Sequence, residues 1–509
     1  RCSVFCKSDC THALNKGIPK GEVVAGLCQM IAGKIIELLA KEKFNQVLAI
    51  GGVCQNDSVI RFLEEKYPAV HIPDQATYFE ALGAALIGLE KESHLSRDNL
   101  FRSEASHFSF LQSLKEAQSR VTFKTMDKGM VKEGDVCIVG LDVGSTTTKA
   151  VMLRVEDDAM LASVYLRTNG APIEASLNCY RALKEQIDTK IKIIGLGVTG
   201  SGRHIAGLHA LTKGVINEII AHAAAAAHFD KEVDTIFEIG GQDAKYTFLT
   251  NGVASDYAMN EACSAGTGSF LEESAKETLG IDYRDIAEIA MKGNKPPNFN
   301  DQCAAFIQSD IKTAMQEGIS REDVVAGLVY SICMNYNNRV KGSRPVGKKI
   351  FMQGGVCYNY AVPIAMSILV HKEIIVPPEP GLMGAYGVAL EIKKRIRLGL
   401  LEEQAFDLAE LIGREIKYGR EFICPGGEEK CDRKCEIAVI EVNGQKYPFG
   451  GACSRYYNQR LKTNVKPSTN YIKVRQELVF KKYAAFPPGE GKSIGIMKTF
   501  MTDTLYPLY

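Results

Sequence analysis

Apolar residues in the middle of the chain fall into short continuous runs that end at glycine turns. Segments of helical period lie between them. The run 136–141 is apolar or glycine throughout and stops at Asp142; 149–155 resumes after a short turn. This pattern predicts a buried strand and its hairpin partner. The runs 191–196 and 235–239 predict further strands, the second ending at Gly240-Gly241, and 349–352 predicts one running into Gly354-Gly355. Helical spacing covers 217–229, an Ala-rich stretch, and then 267–279, 304–317 and 323–340. Strands alternating with helices predict an α/β fold. Residues 94–135 show no dense apolar pattern and read as a linker with some helix. From residue 415 onward Gly, Lys and Cys rise, which predicts a small separate module.

The chain repeats part of itself. Cys2-Ser3-Val4-Phe5-Cys6-Lys7-Ser8-Asp9 aligns with Cys303-Ala304-Ala305-Phe306-Ile307-Gln308-Ser309-Asp310. The alignment continues from Val23-Val24-Ala25-Gly26-Leu27 to Val324-Val325-Ala326-Gly327-Leu328. It resumes at Gly51-Gly52-Val53-Cys54, which aligns with Gly354-Gly355-Val356-Cys357. A repeat of this kind marks a duplicated structural unit. Residues 1–93 read as the second half of a first unit, 94–135 as the linker and 136–396 as a complete unit. Residues 397–490 read as a Cys-rich module and 491–509 as the start of a further domain. Both ends read as cut from a longer polypeptide.

Composition narrows the function classes. The chain has 509 residues, 46% hydrophobic and 24% charged, the balance of an ordinary globular protein. Lys and Arg number 61 against 60 Asp and Glu, so no global field favours nucleic acid or an anionic membrane. No apolar run is long enough to span a bilayer, and no signal peptide opens the chain. Fifteen Cys without a secretory signal read as reduced thiols in the cytoplasm, available for packing or for metal.

Three glycine turns carry candidate chemistry. Asp142-Val143-Gly144-Ser145-Thr146-Thr147-Thr148-Lys149 joins two predicted strands. Glycine lets backbone approach a phosphate, successive N–H groups and hydroxyls surround an anion, and a strand-end carboxylate holds Mg²⁺ through water. The spacing is not that of a Walker A loop. Glu238-Ile239-Gly240-Gly241-Gln242-Asp243 and Met352-Gln353-Gly354-Gly355-Val356 are the second and third turns. In this order the three resemble the phosphate-1, phosphate-2 and adenosine elements of the actin, Hsp70 and sugar-kinase superfamily. The resemblance implies a ribonuclease H-like ATPase domain. It implies that Asp142 and Asp243 serve Mg²⁺ and the attacking water. Gly144, Ser145, Thr146, Thr147, Gly240, Gly241 and Gln242 would surround the phosphates of ATP or ADP, and Gly354 and Gly355 would pass under adenosine. Lys149 reads either as a phosphate contact or as a solvated strand residue.

Two cysteines precede predicted helices: Cys263 in Asn260-Glu261-Ala262-Cys263-Ser264-Ala265-Gly266-Thr267-Gly268, and Cys303. Helix N-termini favour thiolates, which suits the ligands of an anionic iron–sulfur cluster. Two Cys per domain cannot complete four ligands, so an interface between two domains is implied. With Gly240-Gly241-Gln242-Asp243-Ala244-Lys245 and Val198-Thr199-Gly200-Ser201-Gly202-Arg203, these segments resemble the activator family of 2-hydroxyacyl-CoA dehydratases. The ATPase subunits of benzoyl-CoA reductases are close relatives of that family, and the tandem arrangement resembles its large form. The resemblance implies one [4Fe-4S] cluster clasped between two domains, paired within one chain or in a homodimer, and an oxygen-sensitive, anaerobic protein. It implies ATP-driven delivery of one electron, received from a ferredoxin or flavodoxin, to a dehydratase-like or double-cubane-cluster protein. Cys2 aligns with Cys303 and becomes a third ligand candidate. Cys6, Cys10 and Cys28 align with Ile307, Ile311 and Val329 and read as core residues.

Cys424, Cys431, Cys435 and Cys453 lie within 30 residues, with six, three and seventeen residues between them. They flank a probable hairpin at Val442-Asn443-Gly444 and read as a site for Zn²⁺ or a second iron–sulfur cluster. The stretch resembles the region after tandem activator domains in large activase-related proteins. Ser493-Ile494-Gly495-Ile496-Met497 resembles the opening of the dehydratase-like domain that follows there. The phosphate turns alone also permit a small-molecule kinase on the same fold, or a non-catalytic nucleotide-binding scaffold.

Overall fold

The computed structural model describes residues 9–11, 13–14, 18–40, 46–67, 69–90, 106–260, 266–426, 431–460, 474–475 and 477–478. The chain divides into two compact units, Arg1–Arg420 with Ala438–Lys446, and Glu421–Ile437 with Tyr447–Tyr509. The first unit opens with α1 (Lys20–Leu39), β1 (Val47–Leu48), α2 (Asp57–Glu64), β2 (Val70–His71) and α3 (Phe79–Glu90). β1 and β2 pair in parallel, with Val47 opposite Val70. Asn56 caps α2 by accepting from the N–H groups of Ser58 and Val59. Cys28, Ala32, Val59, Ile60 and Leu63 form a small core.

The stretch expected to be a linker is partly built into the fold. Leu114 is fully buried, and β3 (Val121–Phe123) becomes the edge strand of a sheet. Three residues are too few to register as a strand by alternation, and the parallel partner is some 250 residues away in the chain.

Two sheets follow, built on one plan. The first holds β4 (Val136–Val143), β5 (Thr147–Arg154), β6 (Met160–Arg167), β7 (Lys192–Thr199) and β8 (Gly214–Val215) in the order β6-β5-β4-β7-β8. β4, β5 and β6 are antiparallel, whereas β7 and β8 run parallel to β4. α4 (Pro172–Glu185) packs on this sheet. α5 (Arg203–Ala210) and α6 (Glu218–Phe229) lead to the second. That sheet holds β9 (Thr235–Ile239), β10 (Ala244–Thr250) and β11 (Val253–Met259). They are followed by α7 (Gly268–Leu279), α8 (Ala304–Gln316), α9 (Arg321–Asn335), β12 (Ile350–Gln353), α10 (Ala361–Val370), β13 (Ile374–Val376) and α11 (Met383–Arg397). Its order is β11-β10-β9-β12-β13-β3, with the same mixture of antiparallel and parallel neighbours. This duplicated α/β sheet plan is the actin/Hsp70/sugar-kinase-like ATPase fold. Strands buried on both faces explain the continuous apolar runs: β4 is buried from Cys137 to Val143.

Several elements differ from the sequence expectation. β6, β8, β10, β11 and β13 are additional strands, and 191–196 falls in the fourth strand of its sheet in chain order. The helix expected over 323–340 ends at Asn335, runs on through a π-helical turn at Tyr336–Lys341, and stops at Gly342 with φ 57°.

Residues 20–90 follow the element order of 321–397. α1, β1, α2, β2 and α3 correspond to α9, β12, α10, β13 and α11. Gly51 and Gly354 occupy the same left-handed position, with φ 94° and 99°. Their N–H groups donate to the carbonyls of Ala76 at 2.6 Å and Pro380 at 2.9 Å. Burial separates the two segments. α9 is buried from Val324 through Cys333, whereas α1 buries Cys28 and Ala32 alone among its described side chains.

Also in the first unit, Asn443 (φ 50°) and Gly444 (φ 77°) make the two-residue turn between the strands Glu436–Val442 and Gln445–Phe449. In the second unit, Phe422 pairs with Ile437 and Ile423 with Glu436, and Cys424 N–H donates to Cys435 O at 2.8 Å. Residues 491–509 lie outside the described residues. No described helix is long and apolar enough to cross a membrane.

Candidate active site

The β4–β5 and β9–β10 turns meet face to face. A Cβ placed on Gly241 would lie 2.8 Å from both Cβ and Oγ1 of Thr146, so glycine is required where the two turns approach. Thr146 Oγ1 is buried there without a hydrogen-bond partner among the described residues. A buried hydroxyl with no partner suits an oxyanion arriving between the turns. Thr168 at the end of β6 supports the first turn: its hydroxyl donates to Gly144 O at 2.8 Å, and its N–H donates to Thr146 O. Gly200, at φ 88°, lets its loop pass under Asp142, where a Cβ would come within 2.5 Å of Oδ1.

Asp142 lies next to the end of β4 and stands opposite Lys149 in register, with Nζ 3.1 Å from Oδ2. Burial pushes the Asp142 carboxyl up, but Lys149, His222 and Lys245 together outweigh it and hold the group below the ordinary carboxylate range. Burial likewise pulls Lys149 down, and Asp142 more than restores it. Lys149 is therefore a buried ion-pair partner rather than a solvated strand residue. Its ammonium also lies 5.7 Å from the centre of the Tyr165 ring.

The second hairpin repeats this arrangement. Lys245 stands opposite Glu238 in register, 3.1 Å from Oε1. Burial works to raise Glu238, and His222 and Lys245 bring it net below the ordinary range. Asp243 differs. Burial raises it, Lys245 opposes, and the Glu238 and Glu218 carboxylates raise it further, leaving it above the ordinary range. A carboxyl so placed is a better proton acceptor than an exposed aspartate. Gly240 N–H donates to Asp243 O at 2.9 Å, and the N–H groups of Gly268 and Ser269 donate to Gly240 O and Gly241 O at 2.8 and 2.7 Å. The second turn is thus bonded directly to the start of α7. Gln242 is half-buried in the same turn.

The third turn leaves β12. A Cβ on Gly354 would lie 2.3 Å from Ile239 O, and one on Gly355 2.2 Å from the Tyr165 hydroxyl. Gly354, at φ 99° against backbone, demands glycine, and the turn lies beside the second.

The cysteines are placed less completely. Cys303 is half-buried at the N-cap of α8. Cys263 and Cys2 lie outside the described residues, as does Cys6. Cys28 and Cys357 are buried packing residues. Cys424, Cys431, Cys435 and Cys453 are half-buried or exposed. Among the described residues no group of three or more His, Cys, Asp or Glu is arranged to hold a metal ion.

The ATPase family model described as "BadF/BadG/BcrA/BcrD ATPase family" matches residues 139–391, the span that carries all three turns. The 2-hydroxyisocaproyl-CoA dehydratase activator of Clostridioides difficile is 31% identical over 282 residues, covering 55% of this chain and 98% of that protein. The chain belongs to the BadF/BadG/BcrA/BcrD ATPase family. The (R)-2-hydroxyglutaryl-CoA dehydratase activating ATPase of Acidaminococcus fermentans is also 31% identical, over 263 residues, covering 50% of this chain and 97% of its own. A solved structure of the Clostridium difficile activator with bound ADPNP aligns at 30% identity and a TM-score of 0.46, covering 52% of this chain and 99% of that one. As a member of this family the chain is an ATPase, and ATP is its nucleotide.

Two residues of this family member's site escaped the sequence reading. Thr168 follows a strand the apolar pattern did not reveal. His222 lies in an Ala-rich helix, where a single histidine carries no spacing signal.

Proposed function

We propose that this chain couples ATP hydrolysis to one-electron transfer from a [4Fe-4S] cluster, held at a domain or subunit interface, to a 2-hydroxyacyl-CoA dehydratase or related reductase. The observation that carries this reading is the bonding of the Gly240–Gly241 turn to the first residues of α7. Cys263 lies five residues before that helix in the sequence, so in this reading a change at the phosphates is passed to α7, the helix that follows a candidate ligand. Two relatives named as dehydratase activators, each covered over nearly its full length, support the same reading.

In this reading Gly144, Ser145, Thr146, Thr147, Gly240, Gly241 and Gln242 surround the phosphates, and Gly354 and Gly355 pass beneath adenosine. Asp142 and Asp243 hold Mg²⁺ through water, and Asp243 orients the attacking water and accepts its proton. Lys149 keeps Asp142 ionised and stands ready to meet a phosphate. Cys263, Cys303 and Cys2 are the cluster ligands this chain offers, in a tandem pair or a homodimer. Electrons arrive from a ferredoxin or flavodoxin, and the acceptor is a dehydratase-like or double-cubane-cluster protein. The four C-terminal cysteines are assigned to Zn²⁺ or a second cluster.

Anaerobic purification with iron, sulfide and zinc analysis tests the reading. The expected protein is brown, with broad absorbance near about 400 nm. Cys263→Ser and Cys303→Ser should lose that absorbance and keep ATP turnover. A protein that hydrolyses ATP but stays colourless after cluster reconstitution would sink the electron-transfer reading and leave the ATPase standing.

A further inference from the structure

We propose that His222 is a positioning residue for ATP hydrolysis, tying together the strand ends that carry the second and third turns. His222 lies on α6, flanked by Ala221 and Ala223, and is only 6% exposed. Burying an imidazole among alanines is costly unless both ring nitrogens find partners. Here both do. Nδ1 stands 2.9 Å from Gln353 Nε2, and Nε2 stands 3.3 Å from Glu238 Oε1. Glu238 and Gln353 are direct cross-strand neighbours in the β9–β12 ladder. Glu238 is two residues before Gly240, and Gln353 immediately precedes Gly354. One ring thus spans the roots of two turns.

The same ring reaches the other sheet. A Cβ on Gly384 of α11 would lie 2.8 Å from Asp142 Oδ2 and 3.1 Å from His222 Nε2, so glycine there leaves room for the carboxylate and the imidazole on either side of it, without a direct bond between them. The Gln353 amide and the Glu238 carboxylate thus each face one ring nitrogen. Gln353 Oε1 is then buried without a partner among the described residues. The imidazole acts through Glu238 and Gln353 rather than on the nucleotide.

The inference rests on the ATPase activity and not on the electron-transfer reading, so the test reads ATP turnover by the intact chain. His222→Met keeps the volume and removes both polar contacts. His222→Gln keeps a donor for Glu238 and an acceptor for Gln353. His209→Gln is the control, since His209 is equally buried but stacks on Tyr180 and contacts Arg414 O, away from the turns. His222→Met should lower kcat by up to about 10²-fold, the scale of a misplaced catalytic group. KM for ATP should stay within about 3-fold, because the loss belongs to the transition state. His222→Gln should recover most of kcat, and His209→Gln should leave it near wild type. Equal kcat in the Met and Gln variants would overturn the proposal, as would a rise in KM with kcat preserved. Melting temperatures separate these results from misfolding: if Met and Gln variants melt alike and still differ in kcat, the role is positional.

Discussion

The β4–β5 and β9–β10 hairpins are the same device used twice. Each carries a carboxylate one residue before the end of its first strand, Asp142 or Glu238, and seven residues later sets a lysine opposite it at 3.1 Å, Lys149 or Lys245. Each closes with the same backbone bond, Gly144 N–H to Thr147 O at 3.0 Å and Gly240 N–H to Asp243 O at 2.9 Å. They differ in the tips. The first offers Ser145, Thr146 and Thr147, hydroxyls that donate to an anion. The second offers Gly241, Gln242 and Asp243, which make room for Thr146 and add a carboxylate with a raised pKa. A common scaffold thus divides the labour, with phosphate contacts on one side and proton acceptance on the other.

The sharpest way to break that comparison is to exchange the tips. Asp243→Asn should cut ATP turnover by about 10²–10⁴-fold, the range for a lost general base, with little change in KM. Thr147→Ala, at the matching position, should act mainly on KM. If the two variants gave the same kinetic pattern, the division of labour would be wrong. Removing the lysines tests the common scaffold. Lys149→Met and Lys245→Met each strand a buried carboxylate, at a cost of about 3–5 kcal/mol for a broken buried pair. Chemical unfolding should show similar losses for both, and a pronounced inequality would mean the hairpins are not equivalent.

A smaller effect separates the two Gly-Gly turns of the repeat. Gly354→Ala meets both a left-handed φ and the Ile239 carbonyl, whereas Gly51→Ala meets the same φ with nothing within 4 Å. The second should cost about 1–3 kcal/mol, the penalty for a side chain held at positive φ with extended ψ, and the first distinctly more. Equal unfolding midpoints would show that the close packing around Gly354 relaxes freely.

Much of this was legible in the sequence, for a physical reason. β4, β9 and β12 are buried on both faces and end at glycines, so a continuous apolar run and its stop signal were both visible. β10 was hidden because Lys245, 5% exposed, lies inside it; an ion pair buried between strands looks like a surface residue when only polarity is counted. The three turns were found through Gly144, Gly240 and Gly354, residues whose lack of a side chain is itself the signal. The pairing of Lys149 with Asp142 was not, because cross-strand register decides it and a single hairpin sequence leaves that open. His222 could not be read at all. Its partners come from β9 and β12, and only the tertiary fold brings them to α6.

The two ion pairs and Asp243 also respond to pH in opposite senses. Asp142 and Glu238 have folded-state pKa values below their ordinary ones, roughly 3.9 and 4.3. Their stabilisation is complete above those ordinary values and is lost as pH falls through the depressed ones. Asp243 is raised, so it binds its proton more tightly in the folded state. Its contribution is present below the ordinary aspartate value and is lost as pH rises through the raised one. Between about pH 5 and pH 3 the two pairs therefore lose stability while Asp243 partly offsets the loss. Asp243→Asn removes the offset, so its urea midpoint should fall more steeply with acid than that of the wild type. Lys149→Met and Lys245→Met, which each remove one of the charges that depress these values, should each flatten the dependence. If Asp243→Asn left the acid slope unchanged, Asp243 would not carry the raised pKa that distinguishes the second hairpin from the first.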